Sequence, residues 1–134
     1  MIMKTKLVEF LNAEKQNLRG VIVSGDIVNG GVICLSGFEK CATTEKKFKA
    51  LADKLAENMF ASLRFDFSGC GLSGGDFSQM KIDSQVEEFM KALDYFKKEM
   101  GDVKINIVAH SLGACVLAGQ IEKIKDGMGK IVFV

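Results

Sequence analysis

Apolar positions along this chain fall into two kinds of run, and their spacing predicts the elements. Lys4 to Leu11 alternates loosely and reads as a first strand, with Leu18 to Ser24 as a second. Val32 to Leu35 is a short continuous apolar run and predicts a third. Ala61 to Phe67 predicts a fourth, Lys104 to Val108 a fifth and Lys130 to Val134 a sixth. Asn29-Gly30-Gly31 reads as a turn between the second and third strands. Continuous apolar strands belong in a sheet covered on both faces.

Between the later strands the apolar period changes to that of a helix. Phe48, Leu51, Ala52 and Leu55 share one face of a first helix, which Thr43 or Thr44 is placed to cap. Val86, Phe89, Leu93 and Phe96 form the stripe of a second helix. Ser84-Gln85-Val86-Glu87 fits a capping box at its start, and Gly101 fits its stop. A third helical pattern runs from Ser111 to about Lys125, followed by Gly127. The order is a hairpin, then strands alternating with helices. It predicts an α/β fold, a three-layer α/β/α sandwich with a mostly parallel sheet and an antiparallel N-terminal hairpin. The last apolar strand stands at the end of the chain. A flat hydrophobic edge pairs readily with other strands. Residues 1–134 are therefore expected to be the N-terminal part of one domain, with self-association through the sixth strand as an alternative fate for that edge.

Composition narrows the class. The chain is 48% hydrophobic and 26% charged, enough apolar material for a core. A formal net charge of +1 makes no electrostatic case for nucleic acid or for an anionic membrane. No apolar run approaches twenty residues, and the N-terminal segment is too short and too charged for a signal peptide, so the expected location is cytoplasmic. The cysteines, Cys34, Cys41, Cys70 and Cys115, form no CxxC pattern, and there is a single histidine, so no metal set is assembled. Cys34 and Cys115 lie in apolar patterns and are expected to pack. Cys70 lies between two glycines and is expected in an open loop.

The chemistry concentrates at Ala109-His110-Ser111-Leu112-Gly113, between the fifth strand and the third helix. A serine hydroxyl is a weak nucleophile and must project clear of the backbone toward a base. A strained strand-to-helix corner with small neighbours achieves this and sets the serine at the positive end of a helix. The plain alternative is a serine that merely caps that helix. Leu35-Ser36-Gly37-Phe38-Glu39 follows the third strand, where a main-chain N–H can help to hold an oxyanion. Arg64-Phe65-Asp66-Phe67-Ser68-Gly69-Cys70-Gly71-Leu72-Ser73-Gly74 follows the fourth.

These three motifs, in this order and context, resemble the α/β-hydrolase superfamily, and particularly its small esterase and acyl-hydrolase-like members. The resemblance runs from the opening hairpin to the sixth strand. It departs at Ser36, where many relatives carry histidine, and at Ala109, where glycine is more usual. The resemblance implies a truncated α/β-hydrolase fold with Ser111 as catalytic nucleophile. The backbone N–H groups of Phe38 and Leu112 would be the oxyanion donors. It implies an ester or acyl substrate of small-molecule size cleaved through an acyl-enzyme, with no organic cofactor and no metal.

Gly69-Cys70-Gly71-Leu72-Ser73-Gly74 also spells a dinucleotide fingerprint, but it follows the fourth strand and runs on into a loop, not a helix. His110 adjoins Ser111, and the corner turns its side chain away, so it reads as a packing or hydrogen-bonding residue, not a base. In the superfamily the acid and histidine follow the serine. After Ser111 the chain holds Glu122 and Asp126 but no histidine. Loss of the base from a serine site costs about 10⁶ in kcat. The chain alone is expected to be close to inert, its complete form a serine hydrolase. The alternative from another class is a non-catalytic binding module, or one half of a split assembly.

Overall fold

The computed structural model describes residues 2–37 and 40–134. Six strands form one sheet: β1 (Lys4–Leu11), β2 (Asn17–Ser24), β3 (Gly30–Leu35), β4 (Phe60–Phe65), β5 (Ile105–Ala109) and β6 (Met128–Phe133). Their order across the sheet is β1-β2-β4-β3-β5-β6. β2 runs antiparallel to both β1 and β4, and every other pairing is parallel. The crossovers are helical: α1 (Lys46–Glu57), α2 (Ile82–Met100), and the short α3 (Leu112–Ala118) and α4 (Ile121–Ile124).

Strand parity builds the three layers. Successive side chains point to opposite faces. On β3, Val32 and Cys34 pack with Ala42 and Phe48 beneath α1, while Val21 and Val23 of β2 meet Ala52 and Ala56. Ile22, Ile33, Leu35, Leu63 and Phe65 face the other way, against Phe89, Leu93 and Phe96 of α2 and Val116 and Leu117 of α3. This second side is the larger core. Phe65, Phe89 and Phe96 are fully buried in it, each contributing about 1.5–3 kcal/mol of transfer free energy. The expected α/β sandwich with its mostly parallel sheet and antiparallel opening is the fold observed.

Local signals misplaced several boundaries, for identifiable reasons. Gly30 and Gly31 do not turn; they pair with Phe60 and Ala61 in β3. The rings of Phe60 and Phe96 fill the space side chains there would need. α1 starts after Glu45 without a side-chain cap, because Thr43 is engaged by Asp66. α2 begins at Ile82, so Ser84 lies inside the helix instead of capping it. The third helical pattern is interrupted at Gly119 and Gln120, which separate α3 from α4. Gly101 ends α2 at φ 72° as expected.

The cysteines also divide differently from the expectation. Cys34 is buried, but Cys115 is exposed on α3 and Cys70 is buried in its loop. The apolar stripe of α3 is carried by Val116 and Leu117, which leaves Cys115 on the outer face.

Candidate active site

The carboxyl ends of the parallel strands β4, β3 and β5 deliver three loops to one end of the sheet. β5 ends at Ala109, buried on the α2 side, and the chain turns into α3 at Leu112. Between them Ser111 adopts φ 53° and ψ −116°, a conformation that costs a non-glycine residue about 1–3 kcal/mol. Ser111 is exposed. The corner is tied at both sides. The His110 N–H donates to the Leu35 carbonyl at 3.0 Å, and the Ala114 N–H donates to the Ser111 carbonyl at 2.9 Å.

Two close approaches explain the small residues. A Cβ on Gly113 would lie 2.8 Å from the carbonyl oxygens of Leu35 and Ser36, so α3 rests on the end of β3 at glycine distance. A Cβ on Gly37 would lie 3.2 Å from the Ser111 Cβ and 3.2 Å from the His110 Nδ1. The loop after β3 thus faces the serine corner directly. Phe38, the expected first oxyanion donor, lies outside the described residues. Leu112 is the first residue of α3, where amides have no intrahelical acceptor. The His110 Nδ1 is buried and has no hydrogen-bond partner among the described residues. Glu122 of α4 pairs with Lys125 at 2.8 Å, both side chains exposed.

The loop after β4 is organised by a residue that pattern reasoning did not single out. Asp66 is fully buried. Its carboxylate accepts the Thr43 N–H at 3.1 Å, the Thr43 hydroxyl at 2.6 Å and the Leu72 N–H at 3.0 Å. Its carbonyl accepts the Ser73 hydroxyl, whose oxygen in turn accepts the Arg19 N–H at 2.9 Å. One carboxylate therefore fixes the loops that follow both β3 and β4. Glu88 of α2 does the same further out: it is buried and accepts from the Asn12 Nδ2 at 3.0 Å and the Ser68 N–H at 2.9 Å. The sequence signal for Asp66 was a lone acid between an apolar strand and a glycine-rich loop. Nothing local marks Asn12 or Glu88.

The glycine segment from Gly69 to Gly74 forms this compact loop and does not open a helix; only the short turn Phe77–Gln79 precedes α2. A cavity of about 370 Å³ lies where the β1–β2 turn meets α2, with Asn12, Glu14, Ser68, Asp83 and Glu88 in its wall, and does not include Ser111. Among the described residues, no group of three or more His, Cys, Asp or Glu side chains is placed to hold a metal ion, and no helix is long and apolar enough to cross a membrane.

Known proteins share this fold. The family model described as serine aminopeptidase, S33, matches residues 26–134. An acyl transferase of Photobacterium phosphoreum is 30% identical over 87 residues, which cover 64% of this chain and 28% of that protein. An esterase of Pyrococcus furiosus superposes with a TM-score of 0.79 at 21% identity, covering 94% of this chain and 49% of that one. A Butyrivibrio proteoclasticus protein with ferulic acid bound gives a TM-score of 0.83 at 20% identity, covering 92% and 50%. Mouse α/β hydrolase domain-containing protein 10 gives 0.81 at 20% identity, covering 96% and 48%. The chain spans about half the length of these solved structures and less of the acyl transferase.

Proposed function

The chain belongs to the serine aminopeptidase S33 family, with an α/β-hydrolase fold, and from that premise we propose that Ser111 is the nucleophile of an ester or acyl hydrolase. The observation that carries this is the Ser111 corner itself: an exposed serine at φ 53° between β5 and α3. A Cβ on Gly37, in the loop after β3, would stand 3.2 Å from the Ser111 Cβ, so that loop lies against the corner. A strained, solvent-facing serine opposite a second main-chain loop is what carbonyl attack requires.

In the complete enzyme the Ser111 Oγ adds to the substrate carbonyl carbon and gives its proton to a histidine. The carbonyl oxygen takes the negative charge. The Leu112 N–H and the Phe38 N–H hold that charge, each such donor being worth about 10²–10³ in rate. The alcohol or amine leaves with the proton, and water releases the acyl group from Ser111 by the same route in reverse. Residues 1–134 form the N-terminal portion of the one hydrolase domain, and the histidine and its orienting acid come from polypeptide outside them. By itself the chain is close to inert. Its substrate is a small molecule with an ester or acyl bond.

The test is labelling with a fluorophosphonate probe, applied to this chain and to any longer product of its gene. The longer product labels at Ser111, and Ser111→Ala abolishes the label. Equal labelling of the native and Ser111→Ala proteins overturns the assignment. A second reading, a non-catalytic module or half of a split assembly, is favoured by β6, an edge strand among the described residues on which Val132 and Phe133 are 48% and 51% exposed.

A further inference from the structure

Two thiols with no part in acyl transfer line one cavity at the same end of the sheet. Cys41 lies in the loop after β3, and Cys70 in the glycine loop after β4. With Gly69, Gly71 and Phe77 they line a cavity of about 250 Å³. Gly71 is the residue after Cys70, and a Cβ on it would stand 3.1 Å from the Cys41 sulfur. The Cys41 sulfur therefore packs against the segment that carries Cys70. The two loops are held in this relation by Asp66, which binds Thr43, two residues beyond Cys41, and Leu72, two residues beyond Cys70. A disulfide needs Cα atoms about 4.4–6.8 Å apart and side chains that converge. Two cysteines on the wall of one small cavity, one sulfur packed against the residue that follows the other, are the pair this fold offers for such a bridge.

We infer that Cys41 and Cys70 form a dithiol site that a small disulfide oxidant, such as oxidised glutathione, closes to an intramolecular disulfide, pinning the loop after β3 to the glycine loop after β4. Cys41 is half-buried and Cys70 buried, so the order of steps follows from access. The Cys41 thiolate attacks one glutathione sulfur and expels the first glutathione thiolate. The Cys70 thiolate then attacks the Cys41 sulfur of the mixed disulfide and expels the second. Two electrons and two protons leave the pair, and glutathione disulfide becomes two thiols.

Burial pushes the Cys70 thiol up to about 11, with the Cys41 sulfur and the Asp66 and Glu88 carboxylates adding to the rise. Burial also raises Cys41, helped by the Asp66 and Glu45 carboxylates, against the pull of the Gly71 amide and the Thr44 hydroxyl. Closure is therefore slow near neutral pH and accelerates as the solution becomes alkaline. Cys34, wholly buried and pushed up to about 12, stays out of the exchange. Exposed Cys115 takes up glutathione as a mixed disulfide without a second thiol to resolve it.

The experiment exposes the folded chain to oxidised glutathione at pH 8.5, blocks free thiols, and maps disulfides by mass spectrometry of an unreduced digest. The expected product links the Cys41 and Cys70 peptides, survives in Cys115→Ser, raises Tm by about 10 °C through loop closure, and reverts with dithiothreitol. Cys41→Ser, with folding checked by circular dichroism, abolishes the link and leaves Cys70 free. The inference is overturned if Cys41 and Cys70 remain separately alkylated or carry separate glutathiones. It is overturned equally if Cys41→Ser yields a substitute link from Cys70. Neither result bears on Ser111, so the two readings fail independently.

Discussion

Thr43 grips Asp66 twice, through its amide at 3.1 Å and its hydroxyl at 2.6 Å, and so joins the end of β4 to the loop that leaves β3. The carboxylate is fully buried and takes a third hydrogen bond from Leu72. Removing one donor leaves a buried carboxyl oxygen short of a partner, the costly direction of the hydrogen-bond balance. Thr43→Val is expected to lower stability by about 1–3 kcal/mol, and Asp66→Ala by about 3–5 kcal/mol. Urea unfolding measures both. A loss under 0.5 kcal/mol for Asp66→Ala would show that the clamp is not formed.

Ser111 carries backbone strain that glycine would relieve. Its φ of 53° is open to glycine without a Cβ penalty. Ser111→Gly is therefore expected to raise stability by about 1 kcal/mol while removing all fluorophosphonate labelling. A destabilised Ser111→Gly would mean that the corner is not strained.

Gly113 sets the distance between α3 and β3. A Cβ there would meet two carbonyl oxygens at 2.8 Å, and backbone cannot swing aside as a side-chain tip can. Gly113→Ala is expected to cost about 1–3 kcal/mol, with the shift in the denaturation midpoint as the readout. Gly119→Ala, where nothing lies within 4 Å of an added Cβ, is the matched control and should be near neutral.

Stability should also fall in alkali through Cys34. Burial raises this thiol from 9.0 to about 12. Below pH 9 it is protonated folded or unfolded, and its contribution is fully present. Between pH 9 and 12 the unfolded chain releases the proton while the folded chain keeps it. Stability is therefore lost as pH rises through that window. Cys34→Ala flattens this part of the pH profile. An unchanged alkaline slope in Cys34→Ala would exclude the thiol as its source.

Among the described residues β6 is an edge strand, and it offers Val132 and Phe133 to solvent. The chain is expected to self-associate as concentration rises, and Val132→Lys to suppress this. Sedimentation velocity across a concentration series decides it. Concentration-independent monomer in the native chain counts against pairing through β6.

Local periodicity was enough to locate all six strands and the first two helices, because alternation and the 3.6-residue stripe are properties of short segments. It was also enough to single out Ser111, since a serine between an apolar strand and a helical stripe is a local signal. The strand order was not local. β4 inserts between β2 and β3 through the pairings of Gly20 with Phe65 and Gly30 with Phe60, and nothing in either segment specifies its neighbour. Thr43 looked like a helix cap until Asp66, 23 positions away, claimed it. Asn12 and Glu88, 76 positions apart, became partners only because the sheet brought the hairpin turn to the start of α2. Sequence by itself determined the strands, the first two helices and the position of the serine corner, because main-chain geometry and burial period act over a few residues. Tertiary structure decided which loops meet at that corner and which buried polar groups hold them, because such groups are satisfied by partners the chain supplies from a distance.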